Sequence, residues 1–191
     1  MLADIVLATE RLDLRKIGED QVDLHWKYLN SEAVMERLGG PRTREELSKK
    51  HAKARASFAN DGFGFMFGYE RSTGEMVTHC GMKRVDNPLA ANQGDHEIGW
   101  LVREDRWRMG YAEESMRAVI DWAFDEHGAP HLVALTSPLN IGSWKLMEKL
   151  GMERRPDLDF EDPGFPAQDR QTIQYSITRD QWENSQCNAP A

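Results

Sequence analysis

The chain is short of cysteine, of long apolar runs and of positive charge, and each shortage excludes something. Two cysteines in 191 residues, Cys80 inside an apolar run and Cys187 near the end, rule out a disulfide framework. Neither has metal-ligand spacing, so no metal site is expected, and a reducing, cytoplasmic compartment suits the composition. No stretch approaches the roughly 18 apolar residues of a membrane span. The opening MLADIVLATERLDLR lacks the basic segment and small-residue cleavage site of a signal peptide. Against 32 acidic residues there are only 24 basic ones, a formal net charge of −8. That balance argues against nucleic acid or an anionic membrane as partner and mildly favours a cationic substrate. Neither G-x-x-x-x-G-K-[ST] nor G-x-G-x-x-G occurs. With no internal repeat and no low-complexity linker, Thr9 to Trp182 is expected to form one folded domain, followed by a polar, frayed tail over 183–191.

What is present reads as an α/β layout. Leu12 and Leu14 alternate with charges as a first strand, and GEDQVDLHWKYLNSEAVMERL suggests one or two short helices. Thr43 with Glu46 forms a capping-box signature, and Leu47, His51, Ala54 and Phe58 follow at helical spacing to about Asn60. From Gly62 the period becomes two. Phe63, Phe65, Phe67 and Tyr69 line one side, RSTGE turns the chain, and Met76 to Val85 returns as the second arm of a hairpin. Packing against helices is the expected role of those aromatics. His96 to Val102 is a third antiparallel member. A helix from Ala112 to near Gly128, the buried strand HLVALT, a helix from Asn140 to Leu150 and a last strand in DRQTIQYSIT complete a mixed sheet.

The segment RWRMGYAEES, Arg106 to Ser115, places Gly110 and Ala112 between a strand and a helix start. That arrangement points successive backbone N–H groups, aided by the helix dipole, at an anion. A plain strand-to-helix turn is the competing reading. Further on stands LTSPLNIGSWKLMEKLGM, with Asn140, Ser143 and an EKLG ending.

The two segments together resemble the GCN5-related N-acetyltransferases (GNAT), in particular their ribosomal-protein, RimJ/RimL-like branch. ATERLDLRKI and YSITRDQW resemble the same branch, so the likeness spans nearly the whole chain. It implies the GNAT fold, a mixed and mostly antiparallel central sheet flanked by helices. It also implies acetyl-CoA as cosubstrate and a primary-amine acceptor, either a small molecule or a protein N-terminus. The protein would act as a monomer or homodimer.

The amides of Arg108, Met109, Gly110, Tyr111 and Ala112 would then hold the coenzyme A diphosphate. Trp107 stands in place of the family's Gln or Arg, and Arg108 where the branch often has Gly. Leu101, Val102 and Arg103 would offer unpaired backbone groups to the pantetheine arm, and Asn140 would bond pantetheine or cap its helix. Glu97 resembles the family's water-relaying general base, with His96 and His79 as competitors. Counting seven residues from Asn140, where many relatives carry an acidic Tyr, reaches Met147; the branch instead uses a serine, here Ser143, as partner of the leaving thiolate. No Cys is placed for an acyl-enzyme, so the amine would attack the thioester directly in a ternary complex. A noncatalytic acyl-CoA sensor is the alternative, and Met147 is its support. The acids of DLDFEDPGFPAQD form either a solvated loop or a collar for a cationic acceptor.

Overall fold

Helix α3 (Arg44–Asp61) shows how closely local chemistry fixes the elements. The Thr43 hydroxyl accepts from the Glu46 N–H at 3.2 Å while Glu46 accepts from the Thr43 N–H at 2.8 Å, and Gly62 ends the helix at φ 80°. The two reciprocal bonds satisfy backbone donors that the first turn leaves open. Leu47 and His51 are its buried residues. The computed structural model describes residues 4–187, which divide into two compact units.

The first unit comprises the chain up to Lys83 together with Gly99–Val119. Strands β1 (Ile5–Ala8), β2 (Leu12–Lys16), β3 (Phe65–Glu70) and β4 (Met76–Arg84) follow one another as neighbours, antiparallel from β1 to β4. Helices α1 (Val22–Leu29), α2 (Glu32–Met35) and α3 lie between β2 and β3 in sequence. One core cluster joins Ile17, Leu29, Phe67, Tyr69 and Met76 with Leu24, Tyr28, Ala54 and Leu101. The aromatic alternation of β3 is therefore core packing, as its period suggested. At Gly81, φ 155°, a Cβ would stand 2.3 Å from the Gly64 carbonyl oxygen, so only glycine lets these two backbones approach.

The second unit comprises Arg84–Ile98 and the chain from Ile120 on. Strand β5 (His96–Val102) and helix α4 (Tyr111–Asp125) each begin in one unit and end in the other. The first residues of β5 pair parallel with β6 (His131–Thr136), His96 against Leu132 and Glu97 against Val133. Strand β6 is antiparallel to β9 (Gln171–Thr178) along its whole length. Short strands β7 (Glu153–Arg154) and β8 (Phe160–Glu161) also pair with β9. Helix α5 (Ile141–Lys149) follows β6, and α6 (Arg179–Cys187) follows β9.

Several features differ from the sequence reading. Strand β1 precedes the expected first strand, and β7 and β8 are too short to carry a period. The expected frayed tail from Glu183 is helical through Cys187; residues 188–191 lie outside the described residues. Trp182, 4 % exposed, anchors this helix through its indole N–H to Asp121 at 2.7 Å. One buried aromatic and its bond hold a helix that polar composition alone does not reveal.

Candidate active site

Strand β5 ends at Val102, a single 3-10 turn covers Glu104–Arg106, and α4 starts at Tyr111. Between them the chain takes positive φ twice, 59° at Arg108 and 83° at Gly110. None of the backbone N–H groups from Arg108 to Ala112 donates to another described residue. A row of open donors at the start of a 15-residue helix forms a cradle suited to an anion, because the helix dipole adds partial positive charge where the N–H groups point. Of the two acids in the first turn, Glu113 is bonded by Arg117 at 3.1 Å, which mutes its repulsion of an anion. Tyr111 is buried and donates its hydroxyl to Glu70, so its backbone, not its ring, faces the cradle.

The positive φ of Arg108 explains why Gly suits this position: a side chain in the left-handed region meets its own backbone. Trp107 is 46 % exposed and donates its indole N–H to the Val102 carbonyl at 2.8 Å. It thus closes the turn that follows β5.

The three residues at the end of β5 and just past it, Leu101, Val102 and Arg103, do not offer open backbone groups equally. The Leu101 carbonyl accepts the Thr78 hydroxyl at 2.6 Å, and the Arg103 N–H donates to the Val77 carbonyl at 2.9 Å. Backbone groups alternate in direction along a strand, so both residues turn theirs toward β4. Only Val102 points the other way, and its carbonyl is already bonded to Trp107. Arg103 is 8 % exposed and holds Asp105, Glu75 and the Met76 carbonyl while lying over the Tyr28 ring. Its side chain is a structural knot that ties the end of β5 to β4 and α1.

In the second unit, Asn140 occupies the N-cap of α5 but makes no side-chain capping bond. The Ser143 N–H donates to the Asn140 carbonyl at 3.1 Å, and neither side chain bonds another described residue. Two polar side chains thus stand uncommitted at the start of α5, one at its N-cap and one in its first turn. Met147 is 2 % exposed, a core residue rather than a vacant acid position. Glu97 is half-buried on β5.

The competing bases are poorly suited to the task. Burial, then the Arg84 charge, lowers the pKa of His96, whose Nδ1 lies 3.3 Å from an Arg84 nitrogen. His79 packs among His25, Phe65 and Phe67, and desolvation followed by the two neighbouring histidines holds it well below the usual imidazole range. Cys80 is fully buried, and desolvation pushes its thiol up to about 12 despite hydrogen bonds with Ser115 and Thr78. Such a thiol is not a nucleophile at neutral pH.

The acidic loop is largely committed: Asp157 to Arg155, Asp159 to Arg154, Asp162 to Asn87 and Asp169 to Ser137. Among the described residues no group of three or more His, Cys, Asp or Glu side chains could hold a metal ion. Two functional-looking features escaped the sequence reading. The imidazoles of His25, His51 and His79 come from α1, α3 and β4, and Arg11 contacts the cradle from 98 residues away. Helical spacing marked His51 as inward-facing, but no local signal reports a contact at that separation.

The acetyltransferase (GNAT) domain model matches residues 11–153. The chain belongs to the GNAT acetyltransferases. It has the family's mixed α/β fold, a mostly antiparallel sheet flanked by helices, and is an N-acetyltransferase with acetyl-CoA as cosubstrate. It is 27 % identical over 187 residues to the FsC-acetyl coenzyme A-N(2)-transacetylase of Aspergillus fumigatus, covering 94 % of this chain and 79 % of that protein. A crystal structure of an acetyltransferase from Agrobacterium tumefaciens superposes with a TM-score of 0.76 at 27 % identity, covering 91 % of this chain and 94 % of the other. An aminoglycoside acetyltransferase crystallised with coenzyme A shares the fold, with a TM-score of 0.70 at 18 % identity over 92 % of this chain and 99 % of the other. No helix of the described residues is long and apolar enough to cross a membrane.

Proposed function

We propose that this acetyltransferase, a RimJ/RimL-like enzyme with one N-acetyltransferase domain over residues 9–182, acetylates a primary amine by direct attack on acetyl-CoA. The observation that carries the reading is the run of undonated N–H groups from Arg108 to Ala112 at the start of α4. They fit a diphosphate: Gly110 gives close backbone approach, and the dipole supplies charge without a buried cation. Asn140 and Ser143, uncommitted at the start of α5, suit polar contacts with the pantetheine arm. Asn140 would bond its amides. Ser143 would donate to the sulfur as the C–S bond breaks and negative charge gathers there.

The amine must arrive neutral, because an ammonium has no lone pair with which to attack the carbonyl carbon. Glu97 fits a base acting through a water, taking the proton that the nitrogen loses. Among Leu101, Val102 and Arg103, the Val102 N–H suits a bond to the arm, since Leu101 and Arg103 are turned toward β4. The acceptor is a small-molecule amine or a protein N-terminus.

Calorimetric titration with acetyl-CoA tests this, with Gly110→Pro as control, since proline cannot adopt φ 83°. Micromolar binding in the wild type that the substitution abolishes is the expected result, followed by turnover in a panel of primary amines. No heat at millimolar acetyl-CoA overturns the reading. Binding without transfer to any amine would favour a sensor instead.

A further inference from the structure

Arg11 lies between β1 and β2, yet its bonds run to the loop and helix that begin the expected coenzyme A site. One guanidinium nitrogen, Nη1, donates to the Met109 carbonyl at 2.9 Å and Nε donates to Glu114 Oε2 at 2.6 Å. The Arg11 backbone N–H donates to Glu114 Oε1 at 2.8 Å, and the Thr9 hydroxyl donates to the same oxygen at 2.5 Å. The guanidinium also lies 4.4 Å from the centre of the Tyr111 ring.

We propose that Arg11 is a positioning residue for acetyl-CoA: it fixes the direction of the Gly110 N–H and neutralises Glu114 beside the diphosphate. The inference rests on the reading of residues 108–112 as the diphosphate cradle.

The first half follows from peptide geometry. No peptide bond among the described residues is cis, so the Met109 carbonyl and the Gly110 N–H point in opposite directions from one plane. Tying that carbonyl to Arg11 turns the Gly110 N–H away from Arg11 and toward the open side of the cradle. If the plane flipped, a carbonyl oxygen would face the anion instead of a donor. Tyr111 holds the next residue in place, its ring under the guanidinium and its hydroxyl on Glu70. Gly110 serves this arrangement too, since a Cβ there would stand 3.3 Å from Arg11 Nη2.

The second half concerns charge. Burial pushes the Glu114 carboxyl up, but hydrogen bonds from Thr9 and Arg11 and the Arg11 charge outweigh it, so the pKa is lowered and the group is ionised. An uncompensated carboxylate in the first turn of α4 would repel a diphosphate through the same helix end that attracts it. Arg11 converts that repulsion into a neutral pair and leaves the backbone donors to act.

A purely architectural tie between the β1–β2 turn and α4 would show the same contacts, so the test separates binding from stability. Acetyl-CoA affinity is measured by calorimetry, and melting temperature alongside it, for the wild type, Arg11→Gln, Arg11→Lys, Glu114→Gln and the Arg11→Gln/Glu114→Gln pair. Arg11→Gln is expected to weaken binding about tenfold or more, the scale of a lost charge-assisted hydrogen bond. Adding Glu114→Gln to it should recover about threefold or more of that loss by removing the repulsion, with no recovery in melting temperature. Lysine keeps the charge without the planar fork and should fall between wild type and Gln. Affinity within twofold of wild type for Arg11→Gln, or a double variant no tighter than the single one, overturns the proposal. Absence of acetyl-CoA binding by the wild type would instead sink the cradle reading on which it stands.

Discussion

His25 Nδ1 and His51 Nε2 share a hydrogen bond of 2.9 Å inside the first unit, with both residues almost wholly enclosed, 3 % and 1 % exposed. One ring must donate and the other accept, so the pair requires at least one neutral imidazole. The His51 Nδ1 is buried without a hydrogen-bond partner among the described residues. Desolvation followed by the His51 charge lowers His25 to about 3, and desolvation followed by the Arg55 charge lowers His51 to about 4.

Stability should therefore fall on mild acidification. Unfolded histidines take up protons near pH 6.5, whereas the folded ones stay neutral until pH approaches 4 and then 3, so the unfolded state binds more protons across that window. Their contribution is fully present above about pH 6.5 and is lost as pH drops through the window, at up to ~1.4 kcal/mol per pH unit for each histidine. His96 and His127, also lowered by burial, act with the same sign. Urea denaturation between pH 7 and 5, above the carboxylate range, is the measurement. A flat profile there would refute the assignment.

Replacing Gly81 by Ala should cost at least ~2 kcal/mol, because the new methyl would press on the Gly64 carbonyl, a backbone atom unable to swing aside. Thermal melting or soluble yield reads the effect. A variant as stable as the wild type would mean that β3 and β4 separate there at little cost.

At Arg108 the ordering matters more than the size. With φ at 59°, Gly should be equal to or up to ~1 kcal/mol more stable than Arg, and Val about 1–2 kcal/mol less stable. Melting temperatures of the two variants decide the point, and Val matching Gly would remove the strain argument.

In a working amine assay, Glu97→Gln should lower kcat by about a hundredfold, the low end of general-base catalysis. Ser143→Ala should lower kcat by about tenfold through one lost hydrogen bond to sulfur, with acetyl-CoA affinity nearly unchanged. Normal turnover in both variants would strip these residues of their assigned roles and leave the base to be found elsewhere.

The parts of this protein that were legible beforehand are those written in local chemistry. Thr43 and Glu46 announced α3 through a cap, the alternation of Phe65, Phe67 and Tyr69 announced β3, and Gly110 before an amphipathic run announced the turn into α4. What stayed hidden depends on direction or on distance along the chain. Spacing could not tell that Leu101 and Arg103 turn their backbone groups toward β4 while Val102 does not. Nor could it place Arg11 on Met109, or bring His25, His51 and His79 together from three elements. For the acids between Asp157 and Asp169 the sequence left open a solvated loop or a collar, because it does not show Arg154, Arg155, Asn87 and Ser137 beside them.

The burial of Cys80 makes it a timekeeper for the first unit. A thiol pushed up to about 12 and 0 % exposed reacts with an alkylating reagent only when β4 lifts away from its neighbours. In a Cys187→Ser background, the rate of labelling at neutral pH therefore counts openings of that strand. Any ligand that tightens the unit will lengthen the interval between them by a factor equal to its stabilisation.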